Sequence, residues 1–152
     1  MSHKIIQHLN PIWAEKANFI IMANVNDMNN EVEKEQLWAR QISAHKFEIC
    51  CIPLFVYDLS LGDEVETDKN FVIQKIIKES GQHTFRVWAK DTPNEVRLTI
   101  TNHLSENNYL YEWYSENLFS ISAMDKSSAQ SLSNYLAELE RNGYLVYEIG
   151  KS

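Results

Sequence analysis

The residues able to do chemistry in this 152-residue chain are mostly carboxylates. Asp58, Asp63, Glu64, Glu66 and Asp68 follow one another with no base until Lys69. Acid at that density suits Lys and Arg on a basic partner, speeding its approach and mimicking phosphate. A second polar stretch carries Asp27, Glu31, Glu33 and Glu35. Neither has the spacing of a calcium loop, so no metal is expected. The first run also reads more simply, as a solvated turn in which Asp63 bonds backbone N–H groups after Gly62.

Other chemistry is harder to assemble. His3, His8, His45, His83 and His103 form no H-x-x-x-H or Cys/His ligand set. A pocket is imaginable where His83 sits beside Thr84 and Arg86, but one titratable residue without a partner is not a site. Cys50 and Cys51 are adjacent, so a bridge between them would be strained and both read as small apolar residues of a buried strand. Ser127, Ser128, Ser131 and Ser133 read as the cap and wet face of a helix, outside any G-x-S-x-G elbow. The dispersed Gly62, Gly81, Gly143 and Gly150 make neither a Walker loop nor a dinucleotide fingerprint. The expectation is a protein that is not an enzyme and needs no cofactor.

Composition bounds the rest. Hydrophobic residues are 44% and charged residues 23%, ordinary for a globular protein, and the formal charge is −7. That sign argues against sequence-independent nucleic-acid binding, which needs clustered Lys and Arg. The apolar runs around Phe19 to Met22 and Ile49 to Tyr57 are too short to cross a bilayer, and the start lacks a signal-peptide core. A cytoplasmic, reduced protein without a membrane partner is expected.

The elements that must position these residues are clearest in the second half. Thr84 to Ala89 alternates as a strand. Thr92, Pro93 and Glu95 suggest a capping box opening a helix striped by Val96, Ile100 and Leu104, ended by Asn107-Asn108. Tyr109 to Tyr114 and Leu118 to Ala123 form a hairpin around Ser115-Glu116-Asn117. Asp125 caps a helix striped by Ala129, Leu132, Leu136 and Leu139 and stopped by Gly143. Tyr144 to Ile149 closes as a strand. The order β-α-β-β-α-β is the split βαβ pattern of a ferredoxin-like half over residues 81–152. Phe119, Ile121 and Ala123, with Leu145, Tyr147 and Ile149, should include its helix-covered core.

Residues 1–80 read as β-rich, a small barrel or curled sheet. Its strands are Asn18 to Val25, Gln36 to Ile42, Phe47 to Ile52, Glu64 to Thr67 and Asn70 to Ile77, with a loop from Asp27 to Glu35. The predicted fold is thus α+β, the β-rich half packed on the ferredoxin-like half. Tyr109, Tyr111 and Trp113 share a strand face, and Trp88 with Arg86 is placed on the same side. That face suits base stacking, a protein contact, or packing on the β-rich half.

Leu59-x-x-Gly62-Asp63-x-Val65-Glu66 and Gly81-x-x-Thr84-x-Arg86, with Leu37-Trp38-Ala39 and Phe47-Glu-Ile before Ile52-Pro53, resemble a family of small bacterial proteins of unknown function. As a small, acidic, cytosolic chain the protein also resembles, in type, immunity proteins of bacterial toxin systems such as contact-dependent growth inhibition. That resemblance implies binding to a cognate toxin domain, a basic nuclease, without direct nucleic-acid contact. The expected contacts are the two acidic runs, with Tyr111 and Trp113 as anchors. The alternatives are a small-molecule-sensing regulatory domain and an RNA-binding module.

Overall fold

Alternation builds the N-terminal half. The computed structural model describes residues 4–25 and 33–151, so Asp27 and Glu31 lie outside the described residues. The central strand, β3 (Lys34–Ser43), turns Glu35, Leu37 and Ala39 inward. Along one edge it takes β2 (Phe19–Asn24), antiparallel. Along the other it takes β1 (Ile5–Ile6), parallel, and then β4 (Lys46–Ile49), antiparallel. Next come β5 (Glu64–Thr67) and β6 (Ile73–Lys78), completing a six-stranded mixed sheet.

One isolated bridge, Met22 to Val72, joins β2 to the residue before β6. Among the described residues no barrel closes, which corrects the small-barrel expectation. Three local boundaries also move. The strand expected over Phe47 to Ile52 stops at Ile49, so Cys50 and Cys51 are buried outside any strand. The strand expected from Gln36 already begins at Lys34, because Glu35 keeps the inward period. The strand expected from Asn70 begins at Ile73. The Asp68 carboxylate accepts the N–H groups of Asn70 and Val72, and Phe71 adopts a positive φ of 62°, so these residues form a turn.

The C-terminal half is α+β. Its strands are β7 (His83–Trp88), β8 (Leu110–Trp113), β9 (Leu118–Ala123) and β10 (Val146–Lys151), in the spatial order β10-β7-β9-β8, all antiparallel. Helix α1 (Asn94–Glu106) links β7 to β8, and α2 (Lys126–Arg141) links β9 to β10. Phe85, Val87, Phe119, Ile121 and Ala123 form one apolar cluster with Ile100 and Leu104 of α1 and Leu132 and Leu136 of α2. Each buried Val, Leu, Ile or Phe here is worth about 1.5–3 kcal/mol of burial.

Helix α2 ends as its sequence dictates. Asp125 accepts the Ser128 N–H (2.7 Å). At the other end Gly143 and Tyr144 donate to the carbonyls of Glu140 and Leu139, a Schellman closure with Gly143 at φ 78°. Helix α1 departs from expectation. Pro93, not Thr92, stands at the N-cap, without a side-chain cap. The Thr92 hydroxyl instead donates to the Tyr144 carbonyl, tying the start of α1 to the approach to β10.

Candidate functional site

Between the two sheets runs a stretch of backbone, Cys51 to Ser60, that belongs to no strand yet is largely buried. Buried peptide groups need partners, and here charged side chains supply them. Glu35, fully buried, accepts the N–H groups of Leu54 (2.8 Å), Phe55 (2.8 Å) and Val56 (3.0 Å). Glu112 of β8 accepts that of Ile52. The carbonyls are met from the other sheet. Arg86 donates to Leu54 and Val56, Ser120 to Ile52, and Thr84 to Leu59.

His8 completes this seam. Its Nε2–H donates to Glu35 Oε2 (2.6 Å) and its Nδ1–H to Glu112 Oε1 (2.9 Å). Both partners are carboxylates, so both ring nitrogens act as donors and the ring is an imidazolium. Burial pulls the His8 pKa down, but its bonds to Glu112 and Glu35 outweigh burial and hold it well above 6.5. Burial works to raise the Glu35 pKa, and the His8 bond and charge bring it below its ordinary value. Burial raises the Cys51 thiol, keeping it neutral. Asp63, also buried, accepts the N–H groups of Ser60 and Ser80 and pairs with Lys151 (2.9 Å). Glu35 and Glu112 thus meet His8, Asp63 meets Lys151, and Arg86 lies beside Glu148 (3.5 Å).

The arrangement holds two sheets together; with His8, Glu35 and Cys51 closed off from solvent, it does not present them to a substrate. Among the described residues no group of three His, Cys, Asp or Glu side chains is placed to hold a metal ion. Both nitrogens of His8 are already spent. Sequence reasoning missed this seam. The signal available was the period of two: Glu35 shares the inward face of Leu37 and Ala39, and Ile6-x-His8 repeats the pattern.

The structure divides the residues expected to contact a partner. Glu35 and Asp63 are interior and belong to no surface patch. Asp58 and Glu33 are exposed, and Asp68 serves its turn. Glu64 and Glu66 lie across from Lys78 and Lys75 (3.8 Å each), because strand pairing sets a base opposite each acid. Tyr111 and Trp113 pack with the helix-covered cluster, Trp113 against Phe119 (4.4 Å between ring centres). Trp88 and Arg86 lie on the opposite face, Trp88 with Ile6, Leu54 and Leu118. The expectation that these aromatics share a face is therefore corrected: β7 and β8 alternate so that Phe85 and Val87, not Arg86 and Trp88, join Tyr111 and Trp113. With helices over one face and the seam over the other, the four-stranded sheet offers no open platform for stacked bases.

One open concavity has mixed chemistry. A cleft of about 470 Å³ lies between the first turns of α2 and the strands β7 and β10, lined by Phe85, Ala129 and Ile149 and by His83, Lys126 and Lys151 among others. Elsewhere Arg97 lies over Trp113 (5.7 Å), but its guanidinium is committed to the carbonyls of Ala89, Thr92 and Glu116.

An α+β protein of two sheets joined by a buried ionic seam is the class this geometry defines. The chain belongs to the family described as a domain of unknown function, DUF4265, which matches residues 35–147. It is similar in fold to a hypothetical protein from Neisseria gonorrhoeae, with a TM-score of 0.75 and 24% identity over 87% of this chain and 93% of that one. No curated protein matches. The two segments that carried the sequence resemblance meet at the seam. Asp63 bonds Ser80, the Ser60 hydroxyl donates to Thr84 (3.0 Å), and Arg86 threads the same buried backbone. Among the described residues no helix is long and apolar enough to cross a membrane.

Proposed function

We propose that this protein is a binding module rather than an enzyme, and that it neutralises a basic bacterial toxin domain, a nuclease, by covering it with an acidic surface. The observation that supports this reading is where the acid lies once the seam is set aside. Glu95, Glu106, Glu116, Glu138 and Glu140 are exposed in and around the helical layer. Against these five acids the two helices set three bases, Arg97, Lys126 and Arg141, so acid is in excess. The contact face of this proposal is thus the helical layer, with Asp58 and Glu33 as outlying acids. A nuclease holds phosphates with Lys and Arg, and complementary charge brings such a pair together quickly. In this reading the C-terminal half is ferredoxin-like, each helix joining two strands with a third between them.

The test is capture of the tagged protein's partner from its own host at moderate salt, followed by association kinetics. The expected partner is basic and stoichiometric, with an association rate that falls steeply as salt rises. Replacing Glu95, Glu106, Glu138 and Glu140 by Gln should slow association and flatten that dependence. An unchanged salt dependence counts against the helical face.

A further inference from the structure

The cleft between α2 and the β7–β10 edge has a purpose that binding through the helical layer does not use. Its floor is apolar: Phe85, Ala129 and Ile149 line it, and Ile149 is left 44% exposed although Phe85, its cross-strand partner, is buried. Its rim is basic, with Lys126 and Lys151, and Gln130 and Ser133 add hydrogen-bonding groups. No carboxylate lines it. The volume, about 470 Å³, falls in the range of small-molecule sites, which combine an apolar wall with a few polar groups. The first turn of α2 contributes the positive end of its dipole on the same side.

A further observation points to the ligand's charge. Lys151 is 12% exposed at its side chain and already holds buried Asp63 at 2.9 Å. Its other carboxylate, Glu79 at 3.3 Å, belongs to a side chain that is 70% exposed. One partner is fixed and the other is a solvent-facing acid, replaceable by a second carboxylate without leaving a buried charge unpaired. Asp125 at the helix start is engaged with the Ser128 N–H.

We infer that this cleft binds a small carboxylate with an apolar body: the carboxylate displaces Glu79 from Lys151 and reaches Lys126, and the apolar body covers Phe85, Ala129 and Ile149. Binding here would join the end of β10 to α2, next to the Asp63–Lys151 pair of the seam.

The experiment is an amide-resolved NMR titration of the full chain with 3-phenylpropionate, with 3-phenylpropionamide as the neutral control. Saturable shifts at His83, Gln130, Ser133 and Ile149 are expected, with the amide roughly tenfold weaker for want of a charge-assisted bond. Glu79→Gln should tighten binding several-fold by removing the competitor, and Lys126→Glu should weaken it by about tenfold or more. Ser133→Trp, which fills the cleft from a half-buried position on its wall, should abolish binding while leaving the rest of the spectrum in place. Equal binding of acid and amide would overturn the inference. So would shifts that do not saturate, or binding that survives Ser133→Trp.

Discussion

The two faces of the four-stranded sheet are made by alternate residues of the same strands, yet they are built on different physics. Toward the helices, Phe85, Val87, Phe119 and Ile121 pack as hydrocarbon against hydrocarbon. Toward the N-terminal half, Thr84, Arg86, Ser120 and Glu112 lie buried and bonded to the backbone of the segment after Cys51. The apolar face needs volume and accepts many shapes that supply it. The polar face needs each donor matched to its acceptor, and a missing partner strands a charge. One side supplies cohesion, and the other fixes which surface of each sheet meets which.

The largest expected effect tests the polar side. Glu35→Ala should cost about 3–5 kcal/mol in urea unfolding, since it leaves the His8 Nε2–H and three backbone N–H groups without an acceptor. On the apolar side Leu136→Ala should cost about 3 kcal/mol through lost burial and a cavity. The sharper contrast lies in conservative changes. Leu136→Met should cost less than about 1.5 kcal/mol, whereas Glu35→Gln should lose about 2 kcal/mol or more. Equal losses for this pair would dissolve the contrast between the faces.

Acidity separates the faces as well. The folded-state pKa of His8 is raised above its ordinary 6.5, so its contribution is fully present below that value and is lost as pH rises through the folded-state value. Glu35 is lowered, so its contribution is present above its ordinary 4.5 and is lost as pH falls through its folded-state value. Stability measured above pH 6.5 should therefore fall by at most about 1.4 kcal/mol per pH unit from the His8 proton. His8→Gln should flatten that limb, and Leu136→Ala should leave its slope alone. A limb of unchanged slope in His8→Gln would assign it to another group.

Two glycines give the smaller tests. A Cβ on Gly150, the bulge residue of β10, would strike the Arg86 guanidinium, so Gly150→Ala should cost about 1–3 kcal/mol as the buried arginine is displaced. Gly143 has open space around its missing Cβ but a φ of 78°, so Gly143→Ala should cost about 1 kcal/mol through backbone conformation alone. The first should shift the thermal midpoint more than the second.

Much of the helical side was legible because its signals are local. Asp125 and Gly143 bound α2 within a few residues of the turns they cap, and Glu64 to Thr67 alternates as the strand it forms. The seam was not legible in the same way. His8 and Glu112 are 104 residues apart, and Glu35 serves N–H groups 19 to 21 residues away. A charged residue in a polar run looks solvated until the backbone that needs it is placed beside it. Asp63 was half readable: a bond to a nearby N–H was expected after Gly62 and falls instead at Ser60, before it, and its pairing with Lys151 was not foreseen. The Thr92 cap failed because a distant carbonyl claimed the hydroxyl. The acidic run at 58–68 lost its character once strand pairing brought Lys75 and Lys78 across from it.

The seam also sets an order in time. His8 is synthesised 104 residues before Glu112, its second carboxylate. At ordinary rates of translation that is a wait of roughly 5–20 s. Through that interval the nascent N-terminal half holds a histidine without its second carboxylate and a run of peptide groups that only the later chain can enclose. Its ionic interior therefore closes after the C-terminal strands emerge. A truncated product ending before β8 would expose an incomplete interior, which a quality-control protease could recognise, and a gene fragment for either half would encode an unfinished protein rather than a portable domain.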